Sequence, residues 1–289
     1  MTVLRDLFAY QFMVNAFRAG TIVAVVASGM GWFMVLRRQT FAGHTLAVVG
    51  FPGAAGATLL GITPAAGYFA FCGAAALVIA GLSRPGQRAG YSDESAVTGS
   101  VQAFLLACGF LFVSLYAGNL NGLDALLFGS FLGITNGQVL VLLGVALPTV
   151  VVLAVIARPL LFASLDHDVA AAAGVPVRLL SIVFLLLLGM AVAEASQITG
   201  ALLVFALLVL PAAAAQALTS RALPGLLLAV ALAVLVTWGG LAIAYYSPYP
   251  TGVFITSLAF GVYVVARIVA AARRSHRGPI VALPVVAEG

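Results

Sequence analysis

Residues 179–219 read LLSIVFLLLLGMAVAEASQITGALLVFALLVLPAAAAQALT, and this stretch decides the fold. Its apolar residues do not alternate with polar ones, so a membrane-spanning β-strand is excluded. A helix of about 20 apolar residues crosses a bilayer. The stretch therefore predicts two consecutive transmembrane helices, over 179–197 and 200–219.

The whole chain follows the same pattern. Of its 289 residues 63% are hydrophobic and 7% are charged, whereas soluble domains carry about 25% charged residues. We predict an all-α fold, a polytopic transmembrane helix bundle that forms one transmembrane domain over residues 1–289. The predicted spans are about nine in number: 16–36, 42–61, 65–82, 95–116, 138–157, 179–197, 200–219, 223–245 and 251–271.

The arginines predict the orientation, since the chain contains no lysine. Arg5 and Arg18 fall on one side of this topology, and Arg267 lies at the end of the last span. By the positive-inside rule the N-terminus is outside and the C-terminus is cytoplasmic, and the net charge of +5 reflects topology rather than a nucleic-acid partner. The arginines on the predicted cytoplasmic side are Arg37, Arg38, Arg84, Arg88, Arg158, Arg178, Arg221, Arg273, Arg274 and Arg277.

Two prolines predict interrupted spans. Pro52 in the second span and Pro211 in the seventh remove backbone donors inside apolar helices. Broken helices in both halves of a membrane protein point to a transport pathway. The alternative is that prolines are simply commoner in membrane helices.

Few ionisable side chains lie within the spans, and each needs a reason because burial in the membrane is costly. Glu194 and Gln197 share one helix face and could line a polar path, or Glu194 could reach to the outer interface. His44 lies about one turn into the second span. It could be a metal ligand or an unpartnered structural histidine.

The segment SLDHDVAAAAGVPVRLL, residues 164–180, predicts a short cytoplasmic helix. Asp166 and Asp168 suit its N-terminus, the alanines favour helix, and Gly174 followed by Pro176 ends it. His167 between the aspartates does not match metal-ligand spacing, so a solvated cap is preferred to a metal site. Such a helix is suited to contact a soluble partner.

Several motifs are absent from the sequence. It contains no GxxxxGK[ST] phosphate loop, so the chain is not itself a nucleotide-driven motor of that class. It also contains no HExxH or GxSxG motif and no paired acidic motif, which leaves an enzyme without a catalytic group. We therefore do not predict an enzyme.

The chain resembles the membrane permeases of ABC importers for divalent metals, the zinc- and manganese-type group, over nearly its whole length. Five segments carry the resemblance in order: NAFRAGTIVAVVASGMGWFMVLRRQTFAGHTL, LLFGSFLGIT, LLFASLDHDVAAAAGVP, QITGALLVFALLVLPAAAAQALTSR and YYSPYPTGVFITSLAFG.

The resemblance implies a multi-pass homodimer in a prokaryotic plasma membrane, with zinc or manganese as the transported ion and no permanently bound cofactor. It implies an ABC ATPase below and an extracytoplasmic metal-binding protein above. The residues that would contact the ATPase are those of the predicted cytoplasmic helix: Asp166, His167, Asp168, Ala170, Ala173 and Gly174. The translocation pathway would include His44, Pro52, Glu194, Gln197 and Pro211.

The second span departs from the family pattern G-D-x-x-S-H-x-x-x-P-G. Aligned on Gly43 and Pro52, the chain has His44 in place of the Asp, Ala47 in place of the Ser and Val48 in place of the His. Either the metal passes a site rebuilt from His44, its symmetry mate and Glu194, or the chain carries a metal chelate.

Two other functions stay open at this point. A permease for iron chelates or cobalamin-like cofactors has the same general architecture. A self-contained, ion-coupled secondary transporter would use Glu194 as its coupling carboxylate.

Overall fold

The computed structural model describes residues 10–82, 91–116 and 133–275. Arg5, Arg84, Arg88 and Arg277 lie outside these ranges. The described ranges consist of helices joined by short turns and contain no strand, as predicted. The helices are α1 (Gln11–Leu36), α2 (Thr40–Leu59), α3 (Pro64–Leu82), α4 (Tyr91–Leu115), α5 (Asn136–Leu165), α6 (His167–Ala172), α7 (Val177–Leu218), α8 (Ala222–Tyr245) and α9 (Thr251–Ser275).

The helices agree with the predicted spans. In the described ranges, seven segments are long and apolar enough to cross a membrane: α1, α3, the 95–115 part of α4, α5, the first part of α7, α8 and most of α9. The second part of α7, Leu203–Leu218, is a shorter apolar helix. Together with α2, these segments correspond one to one with the nine predicted spans.

The helix α7 is two helices joined at Gly200, whose φ of 75° and ψ of 159° are not helical. Contacts with α1 show that the chain turns back there. Arg37, just after the end of α1, reaches Ser181 near the start of α7, with Nη2 2.8 Å from Oγ. The amide nitrogen of Gln216, near the end of α7, donates to the carbonyl of Trp32 at 2.8 Å. Both ends of α7 therefore lie at the same end of the bundle.

The predicted interruptions at Pro52 and Pro211 were wrong. Both α2 and the second part of α7 continue as helix through their prolines. At Pro52 the neighbouring helix α4 comes very close, since a Cβ on Gly109 would lie 2.9 Å from the proline Cβ. A proline removes one hydrogen bond without ending a helix when neighbouring helices support it. The non-helical residue is Gly200 instead.

The helix α7 is the centre of the bundle. It packs against α1, α2, α3, α5, α8 and α9, and its buried leucines and alanines form much of the core. The approach of α1 is closest at Gly31, where an added Cβ would lie 1.9 Å from the carbonyl oxygen of Leu208. The helix α1 therefore packs directly against the backbone of α7 at this point.

The two ends of the bundle differ. At one end α1 stops and is followed by Arg37 and Arg38. Arg37 bonds there to Ser164 and Ser181, which stand on either side of α6 and Arg178 in the sequence. This arginine-rich end is cytoplasmic by the positive-inside rule. At the other end the Asn15 amide donates to the Ile134 carbonyl at 3.1 Å.

Candidate functional site

His44 is the fifth residue of α2 and is half-buried against the second part of α7. Its ring centroid lies 4.8 Å from that of Phe205, with an angle of 67° between the planes. The ring atom Nδ1 is buried and has no hydrogen-bond partner among the described residues. A buried polar atom without a partner is costly, so this nitrogen is available for a ligand.

Val48 lies one helical turn after His44 and is half-buried in the same way. Ala47, between them in sequence, is fully buried. Residues four apart lie on one helix face, so the structure keeps the geometry of the family's paired positions. The second position holds an isopropyl group that cannot bind a metal.

Glu194 is the most buried carboxylate in the described part of the chain. It is 1% exposed, and neither carboxylate oxygen has a hydrogen-bond partner there. The alternative that Glu194 reaches to the outer interface is therefore wrong in this structure. Gln197 is half-buried and donates to its own helix, from Nε2 to the Ala193 carbonyl at 3.1 Å, rather than to Glu194.

His44 and Glu194 are the two predicted metal ligands on the pathway. Within the described ranges no group of three or more His, Cys, Asp and Glu side chains could hold a metal ion. No hydrogen bond joins His44 to Glu194, since Nδ1 of His44 and both carboxylate oxygens are without partners. Pro52 and Pro211 are buried in their helices. His44 and Glu194 thus each bring buried polar atoms without a hydrogen-bond partner into an apolar bundle.

The short helix α6 has the predicted cap. Asp166 precedes it, and its Oδ1 accepts from the backbone nitrogens of Asp168 at 3.1 Å and Val169 at 3.0 Å. At the other end Gly174 has a φ of 81°. Glycine adopts this left-handed conformation without steric cost. The helix is therefore stopped at both ends by its own sequence.

One face of α6 is anchored and the other is exposed. Ala170 has no exposed surface and packs with Ala163 of α5 and Val177 of α7. It holds the helix in place and does not itself present a surface to a partner. The exposed face is mostly small or acidic: Asp168, Val169, Ala171, Ala172, Ala173 and Gly174 are exposed and His167 is half-buried.

Two side chains near these features were not among the predicted site residues. Phe205 contacts His44, and an aromatic residue in an apolar run gives no signal in the sequence. Arg37 was used only as a topology marker, yet it bonds to Ser164, two residues before Asp166. The two serines, Ser164 and Ser181, lie just inside the ends of neighbouring helices and could have suggested partners for it.

These features define a multi-pass membrane permease with polar groups inside the bundle and a capped helix at the cytoplasmic end. A model of the ABC 3 transport family matches residues 9–270. The chain belongs to this family and is a permease subunit of an ABC transporter, which confirms the resemblance seen in the sequence.

Two relatives and one solved structure are similar to the chain over most of their length. The chelated iron transport system membrane protein YfeC of Yersinia pestis is 32% identical over 258 residues, covering 89% of this chain and 86% of that protein. The manganese transport system membrane protein MntC of Halalkalibacterium halodurans is 27% identical over 261 residues, covering 90% and 88%. A solved structure, PsaBC from Streptococcus pneumoniae in complex with Fab, superposes with a TM-score of 0.81 at 25% identity, covering 94% of this chain and 97% of that chain.

Proposed function

We propose that this chain is the membrane permease of an importer that moves a divalent metal ion, manganese or zinc, into the cell. It acts as a homodimer, receives the ion from an extracytoplasmic metal-binding protein and is driven by a separate ATPase. The observation that carries the proposal is the similarity to a manganese permease over 90% of the chain. The half-buried His44, with a free ring nitrogen, is a suitable transient ligand on the path.

The anchored helix α6 supports the part of the proposal that concerns the ATPase. The chain has no phosphate loop of its own, so ATP must be hydrolysed by a partner. The exposed face from Asp168 to Gly174 carries small side chains that let a partner approach closely. Its buried residue, Ala170, fixes that face to α5 and α7 and so joins it to the bundle.

A metal chelate is the second candidate substrate. Val48 removes one of the two side chains that relatives place on this face of α2, and a chelate needs fewer protein ligands than a bare ion. The relative at 32% identity is named for chelated iron transport. Glu194 gives no comparable support to a self-contained secondary transporter, because family membership places the chain with ATP-driven systems.

The test is uptake by the complete complex in proteoliposomes. The permease is reconstituted with the ATPase and the binding protein that are encoded by genes neighbouring its own. The complex is then supplied with manganese, zinc or ferric citrate. We expect accumulation of manganese or zinc that requires hydrolysable ATP. Uptake of the iron chelate but not of free ions would select the second candidate. Uptake without the ATPase would overturn the proposal.

A further inference from the structure

The side chain of Arg37 joins three parts of the chain at the cytoplasmic end. Its Nη2 donates to Oγ of Ser181 at 2.8 Å, its Nη1 to Oγ of Ser164 at 3.4 Å, and its Nε to Oε1 of Gln39 at 3.1 Å. The guanidinium carbon lies 5.4 Å from the ring centroid of Phe184. We call this arrangement the Arg37 clamp: Arg37 with Ser164, Ser181 and Phe184.

The clamp bonds to α5 and α7, the two helices that flank α6 and pack against it. Ser164 is the penultimate residue of α5, two residues before the cap Asp166, and Ser181 lies in the first turns of α7. The helix α6 packs against α5 and α7. A displacement of α6 therefore also displaces the end of α5 and the start of α7, where Arg37 bonds to Ser164 and Ser181.

The backbone around Arg37 is held in a hydrogen-bonded turn, which fixes the position of its side chain. Arg37 caps α1, Arg38 follows with a left-handed φ of 58°, and the nitrogen of Gln39 donates to the carbonyl of Met34 at 3.0 Å. Backbone hydrogen bonds of this kind close a helix end in the Schellman motif, in which the left-handed residue is usually glycine. The turn leads directly into α2, which begins at Thr40 and carries His44 on its first turns.

The chemistry of the clamp requires arginine. A guanidinium has five N–H groups in a fixed plane, so it can donate to two hydroxyls on different helices while its face packs on an aromatic ring. The Ser164 hydroxyl already donates to the carbonyl of Leu160, so its free lone pairs accept from Arg37. A lysine ammonium is a single point on a flexible stem and cannot hold both helices in the same way.

We propose that Arg37 is a positioning residue that couples the α5–α6–α7 segment, on which the ATPase acts, to the α1–α2 turn and so to the His44 part of the pathway. This inference rests on the proposed function, because it gives α6 its role as the contact with the ATPase. The clamp converts a displacement of α6 into a displacement of α2, rather than letting α6 move alone.

The test measures metal transported per ATP hydrolysed in the complete reconstituted complex. Arg37→Met is expected to leave assembly with the ATPase and ATP hydrolysis near wild type and to lower metal uptake per ATP by about tenfold, the effect of losing hydrogen bonds to a charged group. Arg37→Lys is expected to recover only part of the ratio. The control is Arg38→Met, which removes the same charge from the same turn at an exposed side chain.

A double variant tests the partners of Arg37. Ser164→Ala with Ser181→Ala should lower the ratio as Arg37→Met does, and all three substitutions together should add little. If Arg37→Met keeps the wild-type ratio, or if uptake and hydrolysis fall by the same factor, the proposal is wrong. Should Arg37→Met fail to assemble, Arg37→Lys and the serine variant decide by the same criteria. A wild-type complex without ATP-driven uptake would instead overturn the proposed function and the clamp with it.

Discussion

At the scale of single residues, His44 and Val48 are the positions where this permease differs from the pattern it resembles. They share one half-buried face of α2, and Nδ1 of His44 has no hydrogen-bond partner in the described chain. A single imidazole binds a divalent ion weakly, which suits a site that must also release it. The face is therefore suited to a transient contact rather than to storage of a metal.

We predict that His44→Ala lowers metal uptake at least about tenfold, since even a residue that only orients a metal ligand is worth that much. Assembly should be unaffected, because His44 is only half-buried and its Nδ1 makes no hydrogen bond in the described chain. Uptake is measured in proteoliposomes and assembly by co-purification with the ATPase. Unchanged uptake would make His44 a structural residue.

Val48→His is the companion variant. It places a second imidazole one turn from His44, the spacing at which two histidines on a helix bind one metal. We expect the purified variant to retain zinc or manganese through gel filtration, while wild type does not, and to release it more slowly during transport. Metal content is measured by elemental analysis. Equal metal content in both proteins would show that the two positions do not face a common space.

At the scale of elements, the fold depends on the reversal at Gly200. Its φ of 75° with ψ of 159° is a conformation that is essentially restricted to glycine. We predict that Gly200→Ala lowers the free energy of unfolding by roughly 1–3 kcal/mol, measured as a lower Tm in detergent. The control is Gly144→Ala in α5, where an added Cβ meets nothing within 4 Å. The control should match or exceed wild-type stability, and an equal loss in both variants would contradict the prediction.

The sequence predicted the helices well and the site less well, for a physical reason. Spans follow from length and hydrophobicity, which are local, and the cap at Asp166 and the stop at Gly174 follow from local hydrogen bonding. The continuity of α2 through Pro52 depends on how closely Gly109 of another helix approaches, and no local pattern records that. The contact of His44 with Phe205 and the burial of Glu194 are likewise consequences of packing between distant segments.

At the scale of the whole molecule, the arginine distribution and the contacts point to one orientation. Arg37 lies with the end of α5 and the start of α7, so α6 projects from the arginine-rich end. The turn between α2 and α3, which contains Ile62, lies one membrane crossing away. Since the arginine-rich end is cytoplasmic by the positive-inside rule, α6 lies on the cytoplasmic side and the turn at Ile62 on the outer side.

Cysteine labelling tests this orientation with two matched positions. Ile62 and Val169 are each 53% exposed, so their reactivity should differ only through the side of the membrane on which they lie. In a background with Cys72→Ala and Cys108→Ala, a membrane-impermeant maleimide added to spheroplasts should label Ile62→Cys and not Val169→Cys. After permeabilisation both should react equally. Labelling of Val169→Cys in intact spheroplasts would place α6 outside, where no ATPase could reach it.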